Sequence, residues 1–192
     1  MLYLIIIVGS MLLIALTNTL TTTPFSIDTA LLFAQSALLG TLSVIAWDGL
    51  QAWGIRRLPA QWFSADRTAF SVSKQERAFY RKLHINEWKN LIPELGLFTG
   101  FCKSKFLSSN DSEYLARFLL ESNYGVLIHL ANAALGFLIV LLPWCNSPSV
   151  AIPIAMVNAL LNLLPAAILR FNTAPLKNLY QRSLSKKIEK CP

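Results

Sequence analysis

Four stretches of this sequence, residues 1–20, 29–47, 124–146 and 148–169, contain no Asp, Glu, Lys or Arg. With a few flanking residues each reaches the roughly 20 helical residues that cross a hydrocarbon core of about 30 Å. Of the 192 residues 54% are apolar and 14% charged, a balance unlike that of a soluble enzyme of this length. The pattern predicts an all-α integral membrane protein, one domain over residues 1–192, with four transmembrane helices at about 2–20, 28–53, 112–144 and 149–171. Between the second and third helices lies a cytoplasmic, partly interfacial helical segment, 56–110; a basic tail, 172–192, closes the chain. The first stretch reads as a retained helix, since no basic n-region precedes it and Thr17-Asn-Thr-Leu-Thr-Thr-Thr-Pro24 lacks an Ala-x-Ala cleavage pattern.

All 17 Lys and Arg fall between Arg56 and Arg117 or from Arg170 onward. The short connections at 21–26 and 145–149 carry none. Positive residues stay on the cytoplasmic side, which predicts a multi-pass protein of the inner (cytoplasmic) membrane with both termini cytoplasmic. The net charge of +7 then serves orientation and attraction to anionic headgroups, with no nucleic acid as partner. Cys102, Cys145 and Cys191 show no metal or redox spacing, and Cys145 falls in an external turn, so plain thiols are expected.

Trp47 and Trp53 bracket the cytoplasmic end of the second helix, where indole rings sit half in lipid. Ser26 or Asp28 can cap that helix at its start. Ser73 with Glu76, and Asn110 with Glu113, have capping-box spacing and predict helices starting there. Pro93 and Gly96 break any helix within Trp88-Lys-Asn-Leu-Ile-Pro-Glu-Leu-Gly96.

The third and fourth membrane stretches carry the polar groups. Glu121 lies near the cytoplasmic boundary and His129 eight residues deeper, about 12 Å at 1.5 Å per residue. Asn158, Asn162, Ala166 and Arg170 form one stripe at fourfold spacing on the fourth helix. An antiparallel pairing that sets Arg170 level with Glu121 also sets Asn162 level with His129 and leaves Asn132 close to Asn158. An ionisable side chain at membrane depth is a functional-site hypothesis by default. Structural roles are open as well: Glu121 pairing with Arg170, and the asparagines bonding across helices for about 1 kcal/mol each. Glu121 and His129 are too far apart along one helix to form a dyad. Any partner orienting His129 must come from the fourth helix or from the cytoplasmic loop, where Glu94 is the obvious carboxylate. No phosphate loop, serine-nucleophile motif or metal-ligand cluster is present.

These residues resemble a family, the bacterial glycosyl-diaponeurosporenoate acyltransferases of staphyloxanthin type. The resemblance runs from about Phe79 to Arg182. Trp88-Lys-Asn-Leu-Ile-Pro-Glu-Leu-Gly96 is similar to a Trp-Lys-x-x-Leu-Pro-x-x-Gly loop. Glu113-Tyr-Leu-Ala-Arg-Phe118 precedes Glu121 and His129 at the family's spacing, and Asn162-Leu-Leu-Pro165 and Arg170-Phe-Asn172 resemble its Asn-Leu-Pro and Arg-Tyr-Asn. Where the family usually has an arginine and a second carboxylate this chain has Tyr124 and Val126. Where the family continues Arg-x-Arg-Leu it has Thr173-Ala-Pro-Leu176.

The resemblance implies a membrane O-acyltransferase, with His129, Glu121 and Asn162 as catalytic residues. Trp88, Lys89, Asn90, Glu94, Arg170 and Asn172 would bind substrate. No bound cofactor or metal is implied; acyl-CoA or another activated acyl donor is the co-substrate, and a membrane lipid or glycolipid the acceptor. Oligomerisation is left open. In this scheme His129, or His84 in a shallower site, removes the hydroxyl proton, for which an imidazole of ordinary pKa about 6.5 is suited. Asn162 or Asn90 stabilises the oxyanion, and Lys89, Lys103, Lys105 and Arg170 hold the donor head. The alternative is a non-catalytic four-helix subunit or lipid-binding adaptor whose polar stripe only locks two helices together.

Overall fold

A computed structural model describes residues 2–92, 112–145 and 147–189 of the chain. The described residues form helices and connections with no strand. The elements are α1 (Leu2–Thr21), α2 (Ile27–Ile55), α3 (Lys74–Lys82), α4 (Ile85–Trp88), α5 (Ser112–Leu135) and α6 (Pro148–Glu189), with 3-10 turns at Ala60–Trp62, Thr68–Phe70, Lys89–Leu91, Gly136–Leu141 and Pro143–Cys145. Four helices, α1, α2, α5 with its 3-10 extension, and α6, are long and apolar enough to cross a membrane. The chain divides into two compact units, Met1–Arg57 with Ile128–Leu164, and Leu58–Leu127 with Pro165–Pro192.

In the first unit small residues join Ile14, Val44, Ile139 and Ile154 in the buried seams, and many leucines face outward. Ala37, Ala151 and Ala155 are fully buried, whereas Leu4, Leu12, Leu13, Leu31, Leu32 and Leu42 are exposed. That arrangement suits helices packed in lipid, where close backbone approach rather than expulsion of apolar side chains holds them together. Gly40 shows how tight the seam is: a Cβ there would lie 2.9 Å from both Cys145 Sγ and Ile154 Cδ1. Cys145, expected in an external turn, is a buried free thiol within this packing.

Two prolines explain how α1 docks on α6. A proline inside a helix has no N–H, so the carbonyl four residues earlier loses its donor. Pro153 releases the Ser149 carbonyl and Pro165 the Leu161 carbonyl. α1 supplies both missing donors: Asn18 Nδ2 to Ser149 O at 3.2 Å and the Tyr3 hydroxyl to Leu161 O at 3.3 Å. The Ser149 hydroxyl also donates to Asn18 Oδ1. With one contact near each end of α1, the two helices are held antiparallel.

Both long polar helices depart from the expected bounds. α5 stops at Leu135 and tightens to 3-10 over Gly136–Leu141. Glycine is about 1 kcal/mol less favourable than alanine within a helix, and Pro143 has no N–H to offer the Ile139 carbonyl, which takes the Leu142 N–H at 3.0 Å instead. At Gly136 a Cβ would sit 2.6 Å from Asn158 Nδ2, so the bare backbone there leaves room for that amide. α6 runs to Glu189, through the residues expected to form a basic tail. Thr173 and Ser183 are buried on its inner face, which makes this stretch a packed helix.

In the second unit the Ser73 hydroxyl caps α3, accepting from Glu76 N at 3.1 Å as the capping-box spacing predicts. Phe63, Ile85, Leu119 and Tyr124 are buried at its centre. Phe63 stacks on Tyr124 at 3.9 Å between centroids; its carbonyl accepts from Asn123 Nδ2 at 2.9 Å, and the Tyr124 hydroxyl donates to Leu58 O at 2.8 Å.

Tyr3→Phe should destabilise the protein by about 1 kcal/mol, the worth of one hydrogen bond. In a Pro165→Ala background, where the helix regains its own donor for Leu161 O, the same change should be nearly neutral. Thermal unfolding of the four proteins in detergent checks this, and equal losses in both backgrounds would show that Tyr3 does not serve the proline-released carbonyl.

Candidate functional site

The first unit contains a hydrogen-bonded cluster built from three helices. His129 and Asn132 lie three apart on α5, Asn158 and Asn162 four apart on α6, so each pair shares a helix face. His129 Nδ1 meets Asn162 Oδ1 at 3.0 Å, the pairing the eight-residue spacing predicts. Asn132 Nδ2 donates to the same oxygen at 3.4 Å, and Asn158 Nδ2 to the Asn132 carbonyl at 3.2 Å. The third helix is α2, which brings Asp48. Asn162 Nδ2 donates to Asp48 Oδ2 at 2.9 Å, and Asn158 Nδ2 lies 3.4 Å from Asp48 Oδ1.

Asp48 is thus the carboxylate of this cluster, a role sequence reasoning assigned to Glu94, which lies outside the described residues with Lys103 and Lys105. Position concealed Asp48. Between Trp47 and Trp53 it passes for a polar residue at a helix end, yet α2 continues to Ile55 and keeps it within the helix. A carboxylate inside an otherwise apolar span was the available signal. The Asn162 amide, proposed from sequence as an oxyanion donor, directs its Nδ2 hydrogens to Asp48 and to Asn158 O and Oδ1, each of the latter at 3.1 Å. Among the described residues His129 Nε2 has no hydrogen-bond partner, and Asn132 Oδ1 is buried without one. Ser10, Thr41 and Asn158 contribute to a small, otherwise apolar cavity of about 40 Å³ lined also by Ile7, Val44, Ile154 and Leu161.

The second unit gathers most of the residues expected to bind substrate. Arg170 was expected beside Glu121. It forms instead a two-pronged ion pair with Glu76, Nε to Oε1 and Nη2 to Oε2, both at 2.7 Å. Glu76 sits at the third position of α3, where the spacing makes it half of a capping box, and both its carboxylate oxygens also meet the guanidinium. The Tyr80 hydroxyl donates to Glu76 Oε1 at 2.9 Å and Arg170 Nη2 to Ser71 O at 3.2 Å. Lys89 Nζ lies 5.8 Å from the Phe171 ring centre and 3.0 Å from Asn86 Oδ1, which brings the Trp88-Lys-Asn90 and Arg170-Phe-Asn172 motifs together. Trp88 Nε1 is committed to Leu83 O at 2.9 Å. Asn172 is half-buried and Asn90 exposed; Glu121 is half-buried on α5. His84, the alternative base, is exposed in a left-handed backbone conformation (φ 51°) and bonded to Glu87 at 2.9 Å. Tyr124 and Val126, neutral where charges were expected from the resemblance, are both buried.

The Arg170 guanidinium holds the Glu76 carboxyl below the usual carboxylate range, against the opposing effect of burial and with help from Tyr80. Burial, and then the Glu76 charge, push the Tyr80 phenol up, so it stays protonated as a donor.

The fold defines an all-helical protein with four helices of membrane-crossing length and a partly buried histidine–amide–carboxylate cluster. The model of the family described as glycosyl-4,4'-diaponeurosporenoate acyltransferase matches residues 59–182, and the chain belongs to that family. Neither a curated protein nor a solved structure matches it. The matched span includes His129, Asn162, Glu76 and Arg170 and begins after Asp48.

Because the folded Glu76 pKa is depressed, its pairing stabilises the protein above the ordinary carboxylate value of about 4.3. That stability should fade as pH falls through the lower folded value. Glu76→Gln should cost about 1–3 kcal/mol at pH 7 and reduce the acid sensitivity of unfolding. Melting curves between pH 3 and 7 test this; a variant as stable as wild type, with the same acid dependence, would dismiss the ion pair as a stabilising contact.

Proposed function

We propose that this protein is a membrane-embedded O-acyltransferase that moves a fatty acyl group from an activated donor to a hydroxyl of a lipid or glycolipid at the cytoplasmic face. Family membership supplies the reaction class. The observation that carries the assignment of chemistry to a residue is His129, held through Nδ1 by Asn162 with Nε2 without a partner among the described residues. Nε2 takes the proton of the acceptor hydroxyl as its oxygen attacks the donor's acyl carbonyl. The tetrahedral intermediate then collapses, the acyl–oxygen ester remains, and the leaving group departs with the proton returned from His129. General-base help of this kind is worth about 10²–10⁴-fold in rate.

Asn162 then acts by orienting the imidazole, since its own N–H groups are taken. Asn132 Oδ1 is a free acceptor three residues from His129, suited to a second hydroxyl of a sugar headgroup. The family's description names a glycosylated carotenoid acid, which makes a glycolipid the favoured acceptor class. The neutral, packed Tyr124 and Val126 point to an acceptor or donor different from that of relatives carrying charges there.

Lipid extracts from cells lacking the gene should lose one species and gain another lighter by a fatty acyl group. Wild type should restore the acylated species and His129→Ala, present at equal abundance in the membrane, should not. Lipids unchanged on deletion while the protein is normally expressed would favour the non-catalytic subunit, as would full restoration by His129→Ala.

A further inference from the structure

We propose that Asp48, which the family match does not cover, is a positioning residue that sets the tautomer of His129 by orienting the Asn162 amide between them. The two ends of an asparagine amide differ chemically: the nitrogen only donates and the oxygen only accepts. A carboxylate oxygen also accepts, so the end of Asn162 that lies 2.9 Å from Asp48 Oδ2 is the nitrogen. Asn158 O and Oδ1, both 3.1 Å from that atom, agree. Turning the amide over would set its oxygen against three others. With the nitrogen committed to Asp48, Asn162 Oδ1 faces His129 Nδ1 at 3.0 Å and takes a second donor, Asn132 Nδ2, at 3.4 Å. An oxygen with no hydrogen to give requires Nδ1 to carry the ring proton, which puts the lone pair on Nε2. In the known serine-protease triad a carboxylate makes this choice by direct contact with histidine; here an amide transmits it.

The catalytic consequence rests on the acyltransferase reading, since it matters only if Nε2 accepts a proton; the position of the ring proton does not. Asp48→Asn removes the shortest of the three acceptor contacts on the nitrogen end of Asn162 and leaves the two to Asn158, while the new amide at position 48 can present either a donor or an acceptor. Exchanging the two residues, Asp48→Asn with Asn162→Asp, places the carboxylate directly against His129 Nδ1 and keeps a donor behind it.

The test uses full-length protein labelled with [15N]histidine in phospholipid nanodiscs, with ring-nitrogen NMR and an acyl-transfer assay on the same samples. His84 is the other histidine, and the His129 signals are those missing from His129→Ala. Wild type should show a protonated Nδ1 and a bare Nε2. Asp48→Asn should show both tautomers and a kcat lowered in proportion to the fraction that loses the bare Nε2, about twofold for equal populations, with KM little changed. The exchange variant should recover the Nδ1–H tautomer and most of the rate, which a merely structural need for a carboxylate at position 48 would not allow. An unchanged tautomer in Asp48→Asn, or failure of the exchange to restore it, overturns the proposal. If Asp48→Asn does not fold, the exchange variant decides alone. Wild type with the expected tautomer but no acyl transfer would sink the enzyme and leave the NMR comparison to judge Asp48.

Discussion

A peptide carbonyl in apolar surroundings must find its donor within the protein, because leaving it unpaired there costs several kcal/mol. Proline creates such carbonyls wherever it interrupts a helix ladder, and α6 contains three, Pro153, Pro165 and Pro175. For the first two the donor is a side chain of α1. The position of α1 against α6 is therefore written partly in hydrogen bonds, whose directionality selects one register, rather than in greasy contact alone, which would tolerate sliding. The Asn-Leu-Leu-Pro165 motif gains a structural meaning from this: Pro165 opens Leu161 to Tyr3 while Asn162, one residue on, carries the bond to His129.

The same constraint governs the polar cluster. Amide, imidazole and carboxylate groups placed among alanines and valines are costly singly and rigid together, since each fixes the orientation of the next. Gly136 keeps space for Asn158, and Asn158 in turn backs Asn162. The Gln51 amide and Asn132 Oδ1 are buried without partners among the described residues. A lock serving packing alone gains nothing from spare polar atoms, which only subtract from stability.

The sequence was legible where a period and a spacing sufficed. The uncharged stretches announced four helices, and the eight residues from Glu121 to His129, matched by eight from Asn162 to Arg170, correctly set His129 level with Asn162. The same register gave the wrong partner to Arg170. Spacing along two helices cannot show that a third element, α3, inserts its Glu76, and the capping-box pattern had already given that glutamate another task. The basic composition after Asn172 hid the burial of Thr173 and Ser183, which only packing reveals. Asp48 was missed because a carboxylate near two tryptophans is the ordinary mark of a helix leaving the membrane, and nothing local distinguishes it from one that turns inward.

That omission bears on what the first two helices are for. The family match spans 59–182 and so contains the histidine and the amide that holds it, but an asparagine amide alone has no preferred direction. Its direction comes from neighbours that can only accept, and the nearest of them, Asp48, is on α2. α1, through Tyr3 and Asn18, holds the part of α6 that carries Asn158 and Asn162. Helices that look like plain anchors by composition thus supply the asymmetry on which a base at His129 depends. Such a contribution needs no more than one carboxylate in the right place, which is why so little of it shows in the hydropathy of residues 1–57.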